Sequence, residues 1–209
     1  MVIAAPATLA PVQCIEPQPL SFETFDGGDT AGWSLSNTIS IVDLGEVFGP
    51  FGGGTGNPSK TYTVPASAAM VRLSYTMIEL GNWDAFGPFD NDRVAVRIND
   101  NEVFRQELFA DINDVMYQGG PTSDGITWSI TADTPAAGVD FGYASGNPSD
   151  QVFTVVLEIP ANNFVSGSFS IELQTQNLNS DLLDEAVAYD NIRLTALYSC
   201  ESSSPSASP

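Results

Sequence analysis

Histidine is absent from the 209-residue sequence, and basic side chains are scarce, with six Lys and Arg against 26 Asp and Glu. The absence of histidine excludes Ser-His-Asp and Cys-His nucleophile pairs, histidine-ligated zinc and an imidazole pH switch. The formal net charge of −20 would repel the phosphates of nucleic acids and of anionic membranes, so we expect neither as a partner. Carboxylate chemistry remains: acid–base pairs like those of glycosidases, or the binding of hard cations such as calcium, which the acid surplus favours.

Long apolar runs are also missing. No segment approaches the 18 or more apolar residues of a membrane span, and we expect no membrane insertion. The only two cysteines, Cys14 and Cys200, lie on either side of the bulk of the chain. This placement favours a disulfide between them, which on the chain-entropy model would contribute about 4 to 5 kcal/mol. It also favours an oxidising compartment, outside the cell or at its surface. Two unpaired buried thiols are the alternative.

The two ends of the sequence differ in composition from its middle. Residues 1–13 are mostly small and apolar and are interpreted as an N-terminal stub, such as a signal-peptide remnant. Residues 201–209 form a Ser/Pro-rich tail or linker. With 43% hydrophobic residues in the chain, the segment 14–200 can bury a sizeable core. We predict that this segment is a single domain.

Apolar and polar residues alternate with a period of two in many segments, which is typical of half-buried strands. The clearest case places Val71, Leu73, Tyr75 and Met77 on one face. The other predicted strands are 33–42, 59–64, a hairpin of 93–98 with 102–105, 126–132, 152–159, 169–175 and 188–197. The predicted long loops are 44–58, 81–92, 110–124 and 133–150. About ten strands without intervening helices predict an all-β fold, an antiparallel two-sheet β-sandwich.

Acidic residues gather between two of the predicted strands. Asp84, Asp90, Asn91 and Asp92 offer oxygen-bearing side chains within one loop, and such a loop can fold around calcium. Glu79 is the most informative candidate, because period-two alternation places it on the apolar face of its strand, where an unpaired carboxylate is costly. A metal site at these residues is therefore one interpretation. A solvated acidic turn is the alternative.

Two short patterns near the ends of the chain resemble those of a known class of modules. Phe22-Glu23 followed by Gly32-Trp33, and later Asp190-Asn191-Ile192-Arg193-Leu194, are similar to the opening and closing strands of jelly-roll modules of the galactose-binding-like class. That class includes MAM domains and several carbohydrate-binding modules. The resemblance implies a jelly roll whose first and last strands are adjacent and hold a structural calcium through Glu23 or Asp26 together with Asp190. MAM domains have further cysteines that this chain lacks, so their disulfide pattern is not carried over.

A looser resemblance covers the middle of the chain. The segment 47–52, the Trp83-Asp84 turn and the later pairs Asp184-Glu185 and Asp190-Asn191 are similar, in the same order, to a set of extracellular modules. In such modules acidic residues support ion sites. The resemblance implies that role for Asp84, Asp92, Glu185 and Asp190.

Taken together, these observations favour a non-catalytic, calcium-binding extracellular or cell-surface module that acts in adhesion, surface assembly or glycan binding. Its expected partners are calcium ions and a glycan, another surface protein or a second copy of the chain, with no ligand-binding residue assigned. Trp33, Trp83 and Trp128 are interpreted as core residues rather than sugar-stacking platforms. Two alternatives stay open: a jelly-roll glycoside hydrolase or lyase with a carboxylate pair, and a structural subunit of a surface filament or matrix.

Overall fold

The computed structural model describes residues 12–13, 15–81, 83, 92–107, 116–133, 140–143, 150–178 and 181–202. These residues form strands and connecting turns, and their only helical elements are two short 3-10 turns, Asp26–Gly28 and Ala161–Asn163. Within the described ranges, no helix is long and apolar enough to cross a membrane. The all-β class predicted from period-two alternation is confirmed.

The strands are numbered along the chain. They are β1 (Val12–Gln13), β2 (Gln18–Glu23), β3 (Thr38–Ile41), β4 (Gly45–Phe51), β5 (Ser59–Thr63), β6 (Met70–Gly81), β7 (Arg93–Ile98), β8 (Asn101–Glu107), β9 (Met116–Gly119), β10 (Thr127–Ala132), β11 (Gln151–Pro160), β12 (Ser168–Gln176), β13 (Glu185–Leu197) and β14 (Glu201–Ser202).

The strands form two antiparallel sheets and one small strand pair. The large sheet has the order β3-β4-β13-β6-β11-β10-β9, with β2 also paired to β13, and the small sheet has the order β5-β12-β7-β8. From β4 to β13 the chain passes repeatedly from one sheet to the other, so that β13 lies between β4 and β6 while β12 lies between β5 and β7. This is the jelly-roll arrangement, and it confirms the predicted fold class. The pairing of β2 with β13 also makes an early and a late strand neighbours.

The hydrophobic core lies between the two sheets. Val71, Leu73, Tyr75 and Met77 of β6 are all buried and face the small sheet, as their alternation predicts. Trp33 and Trp83 are buried in the same core, and Trp128 packs against it at its margin. The interpretation of the three tryptophans as core residues is therefore supported by their positions.

A second apolar cluster covers part of the outer face of the large sheet. Ile78 and Leu80 of β6 point away from the main core, and Phe141 and Tyr143 cover them from a connecting segment. The other buried members of this cluster are Ile41, Val47, Val152, Ala186 and Ala188. The large sheet is thus buried on both faces at the Leu80 end of β6, and a polar residue there has no direct access to water.

The hairpin of β7 and β8 is confirmed. Asn99 and Asp100 at its turn have φ angles of 49° and 66°, and two successive left-handed residues are what a two-residue hairpin turn requires. The Asn99 side chain accepts a hydrogen bond from the backbone N–H of Ser170 at 2.9 Å and donates one to the carbonyl of Asn163 at 2.6 Å. These bonds attach the turn to β12.

Three sequence predictions about strands and loops are wrong. The segment 44–58 was predicted as a loop but contains β4, and the loop predicted over 110–124 contains β9. The strand predicted over 33–42 is shorter and covers only 38–41. Glycine and proline in β4 obscure a strand signal that its buried residues Val47, Phe48 and Phe51 would otherwise give.

Gly49 explains why β4 needs glycine. Its φ is +149°, and a Cβ placed on it would lie 2.9 Å from the Cβ of Ala188 in β13. Real Cβ atoms do not approach that closely, so only glycine lets β4 lie against β13 here. Gly45 in the same strand also has a positive φ, of +85°, but a Cβ there would meet nothing within 4 Å.

We predict that Gly49→Ala destabilises the fold more than Gly45→Ala. Both changes put a side chain at a positive φ, so the difference between them isolates the collision with β13. The extra loss in the free energy of unfolding should be about 1 to 3 kcal/mol. Urea unfolding of both variants measures it, and equal losses would show that the approach of β4 to β13 can relax.

The predicted disulfide involves Cys14, which lies outside the described residues, so it stays a prediction. The strands beside the two cysteines support it, because β1 and β14 pair with Val12 opposite Ser202 and Gln13 opposite Glu201.

We expect a Cys14–Cys200 cross-linked peptide when the protein is digested without reduction and analysed by mass spectrometry. Alkylation should modify neither cysteine until a reductant is added. Quantitative alkylation of both cysteines in protein kept under air would contradict the bridge.

Candidate metal centre

Glu79 occupies an inward-facing position near the end of β6 and has 0% of its surface exposed. In the ladder it lies opposite Gln151 of β11 on one side and Val187 of β13 on the other. Neither carboxylate oxygen has a hydrogen-bond partner among the described residues. An ionised carboxylate in this position is strongly unfavourable unless a proton or a cation neutralises it.

Two further buried carboxylates lie close to Glu79. Burial raises the pKa of Glu79 well above its usual value, and the charges of Asp92 and Asp150 raise this pKa further. Asp92 and Asp150 are themselves only 2% exposed. Two negative charges therefore act on the Glu79 carboxyl group in a region of low dielectric constant, where charges of the same sign repel strongly.

Asp150 is held in place by the backbone. Its Oδ1 accepts a hydrogen bond from the N–H of Gly81 at 2.8 Å, and its Oδ2 accepts one from the N–H of Phe141 at 2.8 Å. Burial raises the pKa of Asp150, the two hydrogen bonds oppose the rise, and Asp140 adds to it. Each oxygen keeps a second lone pair, so the hydrogen bonds orient the carboxylate without using all its capacity to accept.

Glu185 and Gln151 complete the group. Glu185 starts β13 opposite Gly81, and its side chain is buried. The amide oxygen of Gln151 is buried without a hydrogen bond among the described residues. We call the five residues Glu79, Asp92, Asp150, Gln151 and Glu185 the buried acid cluster. They are all of the buried polar or charged side chains in the part of the chain that the structure describes.

The chemistry of the buried acid cluster is that of a hard-cation site. All five side chains carry oxygen, which is the ligand atom that calcium prefers. Glu79 and Gln151, whose buried carboxylate and amide oxygens have no hydrogen bond among the described residues, are partners in the ladder. Among the described residues, no three acidic side chains already converge as a complete metal-binding group. A cation here would therefore need further ligands or a closer approach of the existing ones.

The predicted metal ligands divide into three sets. Glu79 and Asp92 are close enough for their charges to interact, and Glu185 lies two positions before Val187, the ladder partner of Glu79, in β13. Asp84, Asp90 and Asn91 lie outside the described residues, and their predicted role is untested. Glu23, Asp26 and Asp190 lie where β2 and its following turn meet β13.

Glu23 is already engaged by four donors from the protein. The lone lysine of the chain, Lys60, lies 3.0 Å from its Oε1. The indole N–H of Trp33 donates to Oε2 at 2.7 Å, and the hydroxyls of Ser21 and Tyr62 donate to Oε1 at 2.8 and 3.2 Å. These contacts make Glu23 a structural anchor between the two sheets, and we leave it out of the candidate metal centre.

Asp190 and Asp26 are close enough to interact, as the family resemblance implied. Burial raises the pKa of Asp190 from 3.8 to about 6, a hydrogen bond from the backbone of Asn191 opposes the rise, and the charge of Asp26 adds to it. The side chain of Asn191 donates to Asp190 Oδ2 at 2.8 Å, whereas Oδ1 is buried without a partner among the described residues.

Sequence reasoning missed Asp150 and Gln151. The region 133–150 was predicted as a loop, and the strand after it was predicted to begin only at 152. Gln151 nevertheless continues the alternation of Phe153, Val155 and Leu157 on the inward face of β11. A polar residue at the end of an apolar alternation is the same signal that singled out Glu79.

Comparison of the sequence with protein-family models and with curated proteins found no match to either. The resemblance to galactose-binding-like and MAM-like modules therefore stays a prediction. The fold and the buried acid cluster are established from the structure alone.

Asp190→Asn should change the pH dependence of stability. The folded protein holds a proton on Asp190 up to about pH 6, whereas the unfolded chain releases it near its ordinary pKa. Wild-type stability therefore falls as the pH rises through this interval, because a partly buried carboxylate must ionise. The asparagine variant escapes this loss.

We expect the variant to gain stability relative to the wild type between pH 4 and pH 7, measured by urea unfolding with a chelator present. Asp100→Asn in the exposed β7–β8 turn is the matched control. A stability difference that is the same at both pH values would contradict the prediction.

Proposed function

We propose that this protein is a non-catalytic, calcium-stabilised module of an extracellular or cell-surface protein, acting in adhesion, surface assembly or glycan binding. The observation that supports the proposal is Glu79, a completely buried carboxylate with no hydrogen bond among the described residues. The charges that act on it, those of Asp92 and Asp150, are also negative. A divalent cation would remove both the desolvation cost and the mutual repulsion.

Calcium is the cation that fits these residues best. It takes six to eight oxygen ligands at about 2.3 to 2.6 Å with flexible geometry. Glu79, Asp92 and the amide oxygen of Gln151 can supply such ligands, and the orientation of Asp150 by two backbone N–H groups leaves lone pairs for a metal. Softer metals are less suitable, because the buried acid cluster contains neither sulfur nor imidazole.

Burial of the cluster argues for a structural ion and against catalysis at this place. A glycosidase needs its two carboxyl groups in an open groove beside the sugar, and Glu79 is enclosed between the two sheets. Among the described residues, Asp26 and Asp190 are the pair that fits the enzyme alternative, since Asp190 is partly exposed and has a pKa raised to about 6. A catalytic role for that pair predicts that Asp190→Asn abolishes polysaccharide hydrolysis and leaves calcium binding unchanged.

Glu79→Gln tests the calcium site through two effects of opposite sign. In chelator at pH 7 the variant should be at least as stable as the wild type, because it removes a buried negative charge at nearly constant volume. In calcium it should lose the stabilisation that the wild type gains, which is about 2.7 kcal/mol at a calcium concentration 100 times the dissociation constant. Calorimetric titration and thermal melting measure the two effects.

Glu102→Gln is the matched control, because Glu102 pairs with Arg105 at 2.7 Å on the exposed surface of β8. It should keep the full calcium effect. If wild-type melting curves in calcium and in chelator coincide, or if Glu79→Gln retains the calcium effect, the calcium site is not at the buried acid cluster.

A further inference from the structure

Part of the outer face of the large sheet is uncovered by the described residues. Among them, the second apolar cluster covers this face only at the Leu80 end of β6. Beyond it, one row of side chains crosses six strands in strict register, each residue directly opposite the next. We call this set the outer row. It consists of Phe22 (β2), Arg193 (β13), Ser74 (β6), Val156 (β11), Ser129 (β10) and Gln118 (β9).

The outer row is long and is bordered by polar residues. Five inter-strand spacings of about 4.8 Å make it about 24 Å long. On one side of the outer row, Arg72 of β6 lies opposite Glu158 of β11. On its other side, Thr76 of β6 lies opposite Thr154 of β11. Two surface depressions lie along it, of about 650 Å³ around Ser129 and about 280 Å³ around Arg193.

The side chains along these rows can still form hydrogen bonds. Within the described part of the chain, no hydrogen bond engages the hydroxyls of Ser74, Thr76 or Ser129. Arg72 forms an exposed ion pair with Glu158 at 2.7 Å, which presents donors and acceptors side by side. The surface therefore presents hydroxyl, amide and charged groups beside the apolar surface of Phe22, Val156 and Trp128.

One end of the outer row carries an exposed aromatic ring. Phe22 is 53% exposed, and the guanidinium of Arg193 lies 4.5 Å from its ring centroid. The guanidinium contacts the ring through a cation–π interaction and also lines the smaller depression. A flat ring next to a donor suits a sugar, whose apolar ring face and hydroxyls need both.

We infer that the outer row binds an extended oligosaccharide chain, with one sugar on Phe22 and Arg193 and the following sugars hydrogen-bonded along Ser74, Ser129 and Gln118. This inference rests on the proposed function, because it names the ligand and the surface of the binding module. The N–H groups of Arg193 can donate hydrogen bonds to the carboxylate of an acidic sugar or to the hydroxyls of a neutral one.

Other occupants fit the outer row less well. A peptide cannot add as a strand in the middle of the outer row, because β13, β6, β11 and β10 are each paired on both sides and have no free backbone edge. A second copy of the chain would need an apolar interface core, and the outer row offers only Phe22 and Val156. The net charge of −20 opposes nucleic acid.

Native affinity electrophoresis of the whole chain tests the inference. The gels contain soluble polysaccharides, either neutral (xyloglucan, mixed-linkage β-glucan, galactomannan) or uronic (alginate, polygalacturonate). We expect at least one of them to retard the wild type. Phe22→Ala should weaken that affinity by about tenfold or more, and Ser129→Trp, which fills the row with a residue that strands tolerate, should abolish the retardation.

Arg97→Ala is the matched control, because Arg97 lies 3.8 Å from Glu172 on the small sheet, away from the outer row. It should bind like the wild type. A uronic ligand whose binding weakens in salt and in Arg193→Ala identifies carboxylate recognition, and a neutral ligand unaffected by salt identifies stacking and hydrogen bonding.

Three results would overturn the inference. They are no retardation by any polysaccharide, retardation that Phe22→Ala and Ser129→Trp leave unchanged, and a concentration-dependent dimer in analytical ultracentrifugation that Ser129→Trp disrupts. Thermal melting of the same variants with and without calcium distinguishes a failure of the sugar-binding inference from a failure of the proposed calcium site. Variants that lose the sugar but keep the calcium effect retain the fold and the buried acid cluster.

Discussion

The pairing of β6 with β13 is the interaction on which the rest of this structure depends. It runs from Met70 opposite Leu197 to Gly81 opposite Glu185, and it joins segments that are about half the chain apart. Every other strand of the large sheet attaches to this pair directly or through one of its partners. The two strands also carry the main core on one face and both the second apolar cluster and the outer row on the other.

The period-two alternation of side chains along a strand explains why polar residues of the buried acid cluster are buried. Once Tyr75 and Met77 face the core, Glu79 must face it as well, because a one-residue change would turn the apolar side chains of β6 to the other face. Its ladder partner Gln151 is subject to the same rule in β11. The polar atoms of the cluster are therefore held where water cannot reach them by the same apolar residues that stabilise the sandwich.

The sequence predicts the parts of the fold that follow a simple period. β6, β11, β12 and the β7–β8 hairpin were predicted within a few residues, and Glu79 was identified because it breaks an apolar alternation. β4 was missed because the close contact between β4 and Ala188 of β13 requires glycine at position 49. In the sequence alone, that glycine indicates a loop. Asp150 was missed because its partners are backbone N–H groups at positions 81 and 141, and no local pattern brings these together.

The outer row could not have been found in the sequence at all. Phe22 and Gln118 belong to one row only because five ladder registers align them, and each register depends on packing over the whole sheet. Single exposed residues such as Phe22 are common on protein surfaces and carry no information by themselves. Their alignment across the sheet becomes visible only in three dimensions.

The arrangement of the chain ends determines how the module would respond to tension. β1 and β14 are antiparallel, and the chain leaves Val12 and Ser202 at the same end of their pair. A force that separates these two ends would load their hydrogen bonds one after another instead of all at once, so this short pair would open at low force. The predicted Cys14–Cys200 bridge would then carry the load and shield the pairing of β2 with β13 from it.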